Sequence, residues 1–235
     1  MIISHKHKFI FIHVPKTAGT SIVQSLYPHL DLTQDIIYGG HLDHEKKNDE
    51  QRKADGKLHK HSTAQEIKEY VGEEVWDSYL TCGTIRNPYS RVVSVYNWWH
   101  GTKYENENKK KIINLSFSEF CKSDYTGYPQ VNFLCYQNEQ KKDLPSTCKN
   151  KILVDYVLYY EGINSYFSYI CGLLKLPKLE LKRKNSSTHH DNKNIYQDYY
   201  DRPAYEAVTE KYREDLDKFS YKYFVPKGSN ARSFP

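Results

Sequence analysis

The chain has 235 residues, a net charge of +5 and 38% hydrophobic residues, enough for one full α/β core and too apolar for a disordered chain. No apolar run reaches the length of a membrane span, and the first residues, Met1 to Lys8, carry His and Lys without a long apolar stretch behind them, so the expected location is the cytoplasm. The five cysteines include no Cys-x-x-Cys pair and are odd in number, which argues against a complete disulfide framework and leaves a Cys135–Cys148 bridge conceivable only in an oxidising compartment.

In chain order, Phe9 to Val14 is an apolar, β-rich run of the kind that forms a buried central strand, stopped by Pro15. Lys16-Thr17-Ala18-Gly19-Thr20-Ser21 then leads into a short helix over 22–26. Residues 41–61 are dense in charge and histidine and predict a surface loop. Thr63-Ala64-Gln65-Glu66 has the spacing of a capping box and opens the next helix. Tyr79 to Ile85 predicts a second buried strand, which Arg86-Asn87-Pro88 turns into a helix over 90–99. Ser116 to Glu119 is a second capping box, 152–160 a third strand and 163–174 a helix. Asp201 and Pro203 open a last helix running to Phe219. Strands alternating with helices predict one α/β domain over residues 1–226, with a loose tail at 227–235.

The 22 tyrosines suit a core whose aromatic rings keep a polar tip satisfied. Basic runs at 109–111 and 182–184 are either a solvated face or an attraction for an anionic partner. No basic stripe interleaves with aromatics as a nucleic-acid module requires. Asn114-Leu115-Ser116 and Asn185-Ser186-Ser187 are glycosylation-type triplets of a kind common by chance.

The stretch Lys16 to Ser21 carries chemistry. A strand that feeds a helix through a Gly-containing loop aims main-chain N–H groups and the positive helix end at one point, where anions bind. Thr17, Thr20 and Ser21 add hydroxyls, Gly19 lets an anion approach the backbone, and Lys16 supplies a mobile cation. A plain turn with a solvated lysine is the alternative. A nucleotide-dependent kinase would place Lys after the last glycine, followed by Ser or Thr, and that pattern is absent from the chain. The second element is Arg86, just past a predicted strand, with Ser94 in the helix that follows. Arg presents a planar fork suited to phosphate oxygens, and both strand ends fall where open α/β sheets bind ligands.

Together, Lys16-Thr17-Ala18-Gly19-Thr20-Ser21 and Arg86-Asn87-Pro88-Tyr89-Ser90-Arg91-Val92-Val93-Ser94 resemble the two nucleotide motifs of the sulfotransferases that use 3′-phosphoadenosine 5′-phosphosulfate (PAPS). The segments 60–67 and 154–161 are similar to small soluble members related to carbohydrate sulfotransferases. The resemblance implies a P-loop-like three-layer domain with a central, mainly parallel sheet flanked by helices. It implies that Lys16 to Ser21 hold the 5′-phosphosulfate and that Arg86 and Ser94 hold the 3′-phosphate, with Lys184 and Ser187 in a segment that closes over the nucleotide. PAP would be the product, no metal would be required, and the acceptor would be a hydroxyl, most plausibly on a saccharide. The alternatives in other classes are a kinase and a non-catalytic PAP-binding module.

Transfer to a hydroxyl calls for a base that titrates near neutrality. His41 follows Tyr38-Gly39-Gly40 and resembles the catalytic-histidine region of heparan sulfate 2-O-sulfotransferases, although those relatives carry a second His two residues earlier, where this chain has Gly39. His61, at a predicted helix N-terminus, competes with it. His41, His44, His59 and His61 could instead bind zinc, but their spacings fit no strong zinc pattern and no cysteine accompanies them.

Overall fold

The computed structural model of the protein describes residues 1–39, 56–136, 151–181, 195–224 and 226. His41, Lys184 and Ser187, the run 182–184, Cys148 and the tail 227–235 lie outside the described residues. The chain forms two compact units, each drawn from two separated segments: Met1–Ile85 with Gln130–Lys184, and Arg86–Pro129 with Asn185–Pro235.

The first unit holds a five-stranded sheet in the order β3-β1-β2-β4-β5, formed by β1 (Ile2–Ser4), β2 (Phe9–Ile12), β3 (Ile36–Ile37), β4 (Leu80–Ile85) and β5 (Tyr156–Tyr159). β2, β4 and β5 run parallel, while β1 pairs antiparallel with both β2 and β3. All four residues of β2 are buried, as a central parallel strand covered on both faces requires. Successive side chains alternate between those faces. Phe9, Phe11, Cys82 and Leu158 share a core with Ile22, Val23 and Leu26 of α1 (Gly19–Leu26) and Phe167, Ile170 and Cys171 of α8 (Ile163–Leu173). Opposite them, Gly83 makes room for Leu134 of α7 (Val131–Leu134): a Cβ at Gly83 would lie 2.4 Å from Leu134 Cδ2.

The mainly parallel centre follows the sequence pattern, but the antiparallel edge does not appear in it. β1 and β3 are three and two residues long, too short for a periodicity. They are held by the buried Asp35, whose carboxylate accepts from Ser4 Oγ (2.8 Å), His5 N (2.7 Å), Lys6 N (3.2 Å) and Asp31 N (2.8 Å). On the other side, Thr81 and Asp155 tie β4 to the approach of β5. Thr81 N donates to Asp155 Oδ2 at 2.8 Å and Asp155 N donates to Thr81 Oγ1 at 2.9 Å. Both capping boxes form. Thr63 opens α2 (Ala64–Val71), which precedes α3 (Glu73–Ser78), and Ser116 opens α6 (Phe117–Cys121).

The second unit contains α4 (Pro88–Gly101), α5 (Glu107–Ile112), α6, α9 (Arg202–Lys211) and α10 (Arg213–Lys218). Asn87 caps α4 by accepting from Tyr89 N and Ser90 N, with Pro88 in the first turn. Asp201 caps α9 in the same way, through Ala204 N at 2.8 Å. Tyr89, Val92, Val93, Phe120, Tyr200, Tyr205 and Tyr212 belong to its core. The tyrosines keep their tips bonded: Tyr200 donates to Tyr89 O at 2.9 Å, and Tyr89 Oη lies 2.8 Å from Thr209 Oγ1. The single helix expected up to Phe219 is interrupted at Tyr212 (φ −112°, ψ 22°). Its ring is fully buried, its hydroxyl donates to Thr126 O and Gly127 O at 2.9 and 2.8 Å, and the Arg91 guanidinium lies 5.2 Å from its centroid. Tertiary anchoring thus overrides helical propensity at this position.

Candidate active site

Between β2 and α1 the backbone adopts a left-handed conformation at two non-glycine residues, Lys16 (φ 67°) and Ala18 (φ 70°). Such positions cost energy and collect at functional turns, and alternating handedness turns successive N–H groups into an anion-binding concavity. Ala18 is the N-cap of α1 and offers no capping side chain, so the first-turn N–H groups of the helix are left to another acceptor. The donors this turn offers are therefore chiefly main-chain ones.

The three hydroxyls of the loop differ. Thr17 is fully buried, and its Oγ1 donates to Val14 O at 2.7 Å while lying 2.6 Å from Thr84 Oγ1. With its single proton given to a carbonyl, Thr17 accepts from Thr84. The Thr17 side chain ties the loop to the end of β4. Thr20 is partly exposed and Ser21 is nearly buried, both in the first turn of α1. Gly19 has a requirement of its own: a Cβ there would sit 2.0 Å from Cδ2 of the buried His13 imidazole.

His61 lies beside this loop. Its Nδ1 is 2.7 Å from the carbonyl oxygen of His13, and the two rings meet edge to face with centroids 4.7 Å apart. A carbonyl only accepts, so Nδ1 carries the proton in the neutral ring and Nε2 keeps a lone pair. Burial lowers the His61 pKa to about 4, with the His13 hydrogen bond opposing the shift and the Lys60 charge assisting it. His61 is neutral at pH 7 with Nε2 as its acceptor nitrogen, but a pKa of about 4 lies well below the near-neutral titration expected of the base, because burial disfavours the charged ring. His59 uses its Nδ1 to accept from His61 N at 3.1 Å. Among the described residues no group of His, Cys, Asp or Glu is arranged to hold a metal. The segment that precedes His41 comes close to the same place: Gly39 (φ 85°) lies under the Lys60 side chain, whose Cε is 2.8 Å from where a Cβ would stand.

In the second unit, Arg86 is nearly buried and its Nε donates to Ser90 Oγ at 2.9 Å. Ser90 and Ser94 are one turn apart on α4 and share a face, and both are partly exposed. Arg86, Ser90 and Ser94 thus form a polar row leading from the helix start. The basic run at 109–111 is largely spent within its own segment. Lys109 bonds Glu105 and Thr102 O, and Lys110 lies 3.2 Å from Glu107. Burial pushes the thiols of Cys82 and Cys121 up to about 12, which leaves them unreactive.

A family model described as the sulfotransferase family matches residues 1–222. The chain belongs to the sulfotransferase family. A curated relative of this sulfotransferase, an uncharacterized protein from Archaeoglobus fulgidus, is 30% identical over 126 residues, covering 54% of this chain and 92% of the relative. No solved structure matches it. No helix among the described residues is long and apolar enough to cross a membrane.

Three residues with a place in the sulfotransferase's geometry went unmarked in the sequence: His13, Thr84 and Ser90. His13 reads as the polar end of an apolar strand, and Thr84 as a strand residue. Only Ser90, inside the Arg86 motif and four residues from it, carried a signal.

Proposed function

We propose that this sulfotransferase transfers a sulfuryl group from PAPS to an acceptor hydroxyl, a saccharide hydroxyl first among the candidates, with His61 as general base. The observation that carries the proposal is the juxtaposition of a loop, left-handed at Lys16 and Ala18 and without a side-chain cap, with a neutral imidazole whose Nε2 lone pair is fixed by the His13 carbonyl. The loop's N–H groups and Lys16 hold the 5′-phosphosulfate, and Lys16 neutralises charge on the departing phosphate oxygen. Arg86 and Ser94, assigned through the motif, bind the 3′-phosphate, with Ser90 orienting the guanidinium. Lys184 and Ser187 complete the nucleotide contacts. His61 Nε2 takes the acceptor proton. His41 is the competing base, supported by sequence resemblance alone. Such chemistry requires no metal, because the transferred group carries less negative charge than a phosphoryl group, and PAP leaves as the product. The cytoplasm is the proposed location.

Labelled PAPS offered with glycans, phenols and steroids, with magnesium absent, tests the proposal. Label transfer to a glycan that is lost in His61→Ala and retained in His41→Ala is the expected result. Transfer abolished only in His41→Ala would move the base. PAP binding without transfer to any acceptor class would favour a binding module, and magnesium-dependent ATP consumption would favour a kinase.

A further inference from the structure

Three contacts converge on one buried side chain that the proposed chemistry does not use. His13 follows β2, is 3% exposed, and stacks loosely on Phe11 (centroids 6.1 Å apart, planes at 29°). Its carbonyl fixes the His61 proton on Nδ1. Its imidazole meets the His61 ring at 4.7 Å and 69°. The same imidazole occupies the space above Gly19, where a Cβ would come within 2.0 Å of Cδ2, 2.4 Å of Nε2 and 2.6 Å of Cγ. Gly19 is the first residue of α1, so the His13 ring touches both the anion loop and the candidate base.

We propose that His13 is a positioning residue that couples the loop at Gly19 to His61, holding the His61 imidazole as the Nδ1–H tautomer with Nε2 open. The inference rests on the sulfuryl-transfer assignment of the same loop. His13 touches no reacting atom. It acts because close-packed rings transmit displacement rather than absorb it: a shift of the loop moves the His13 ring, and with it the orientation of the His61 ring and the Nδ1–H···O bond. This accounts for a glycine at position 19 on the side facing the protein, a requirement separate from anion access.

The test uses histidine labelled with 15N in the full chain and PAP as the probe ligand. In the wild type, long-range 1H–15N spectra are expected to show His61 protonated at Nδ1, and protonation at Nε2 would overturn the proposal. His13→Ala keeps the carbonyl but removes the ring that seats the His61 imidazole against it, and is expected to loosen that hydrogen bond and give a mixture of His61 tautomers. An unchanged tautomer in that variant, or in His13→Gln should the alanine variant not fold, would also overturn it. Gly19→Ala is expected to weaken PAP binding by ~10-fold or more when His13 is present, and by less than ~3-fold in the His13→Ala background, because the ring it strikes is gone. Equal losses in both backgrounds would refute the coupling. A wild type that binds no PAP would instead sink the sulfuryl-transfer assignment, and the tautomer spectra would still decide whether His13 holds His61.

Discussion

The depressed pKa of His61 makes a quantitative demand on acid stability. The group falls from 6.5 to about 4 in the folded chain, chiefly through burial. Its neighbours give no anionic compensation: Lys60, His59 and the amino terminus are the charges that act on it alongside the His13 carbonyl. At ~1.4 kcal/mol per pH unit the full difference is worth ~3 kcal/mol, and because the ring is partly exposed, ~1–3 kcal/mol is the working range. The sign follows from proton counting. Between pH 6.5 and about 4 the unfolded chain binds a proton at His61 that the folded chain does not, so stability falls as pH falls through this window. Above pH 6.5 both states are neutral at this site and nothing is lost. Other groups also respond to acid, so the measurement is a difference: urea midpoints at pH 7 and pH 4 for wild type and His61→Gln. The wild type should lose ~1–3 kcal/mol more than the variant over that interval. A titration followed by NMR should place the His61 midpoint near 4, and PAP bound at the adjacent loop should raise it, since a nearby anion favours the imidazolium. A midpoint near 6.5, or equal acid losses in the two proteins, would refute the burial assignment.

Lys16→Ala should lower turnover by ~100- to 1,000-fold with labelled PAPS, the usual loss for one well-placed transition-state donor, and near-normal turnover would remove Lys16 from the chemistry. Thr84→Val deletes the proton that Thr17 Oγ1 accepts and should weaken PAP binding by ~5- to 10-fold, or ~1 kcal/mol. Thr84→Ser should restore affinity measured by calorimetry, and a valine variant that binds like the wild type would show that the loop holds itself. Asp35→Ala strands four donors, Ser4 Oγ and the N–H groups of His5, Lys6 and Asp31. It should cost ~2–4 kcal/mol and lower Tm by roughly 5–12 °C by calorimetry, whereas a shift under ~2 °C would mean that water replaces the carboxylate readily.

Family and central architecture were legible because their signals are local. The buried β2 and β4 runs, the Thr63 and Ser116 capping boxes, the Asp201 cap and the two motifs at 16–21 and 86–94 each depend on residues within a few positions of one another. Capping and turn chemistry act over one helical turn, and their spacing survives in a linear string. Elsewhere the pattern misled or was silent. Periodicity ran the last helix through Tyr212, where a buried hydroxyl bonded to Thr126 and Gly127 breaks it. The antiparallel edge of β1 and β3 was too short to show.

What the sequence determined by itself is the strand-to-helix junction with Lys16 and Gly19 in place, because such a turn depends on residues that are neighbours in the chain. What only the tertiary structure decided is which side chains meet that junction. Thr17 is turned inward onto Thr84, 67 residues away, and His61 is brought to His13 across a separation of 48. The physical reason is that a hydrogen bond between distant residues leaves no spacing in the sequence to find. It depends on the parallel pairing of β2 with β4 and on the packing of His13 over Gly19.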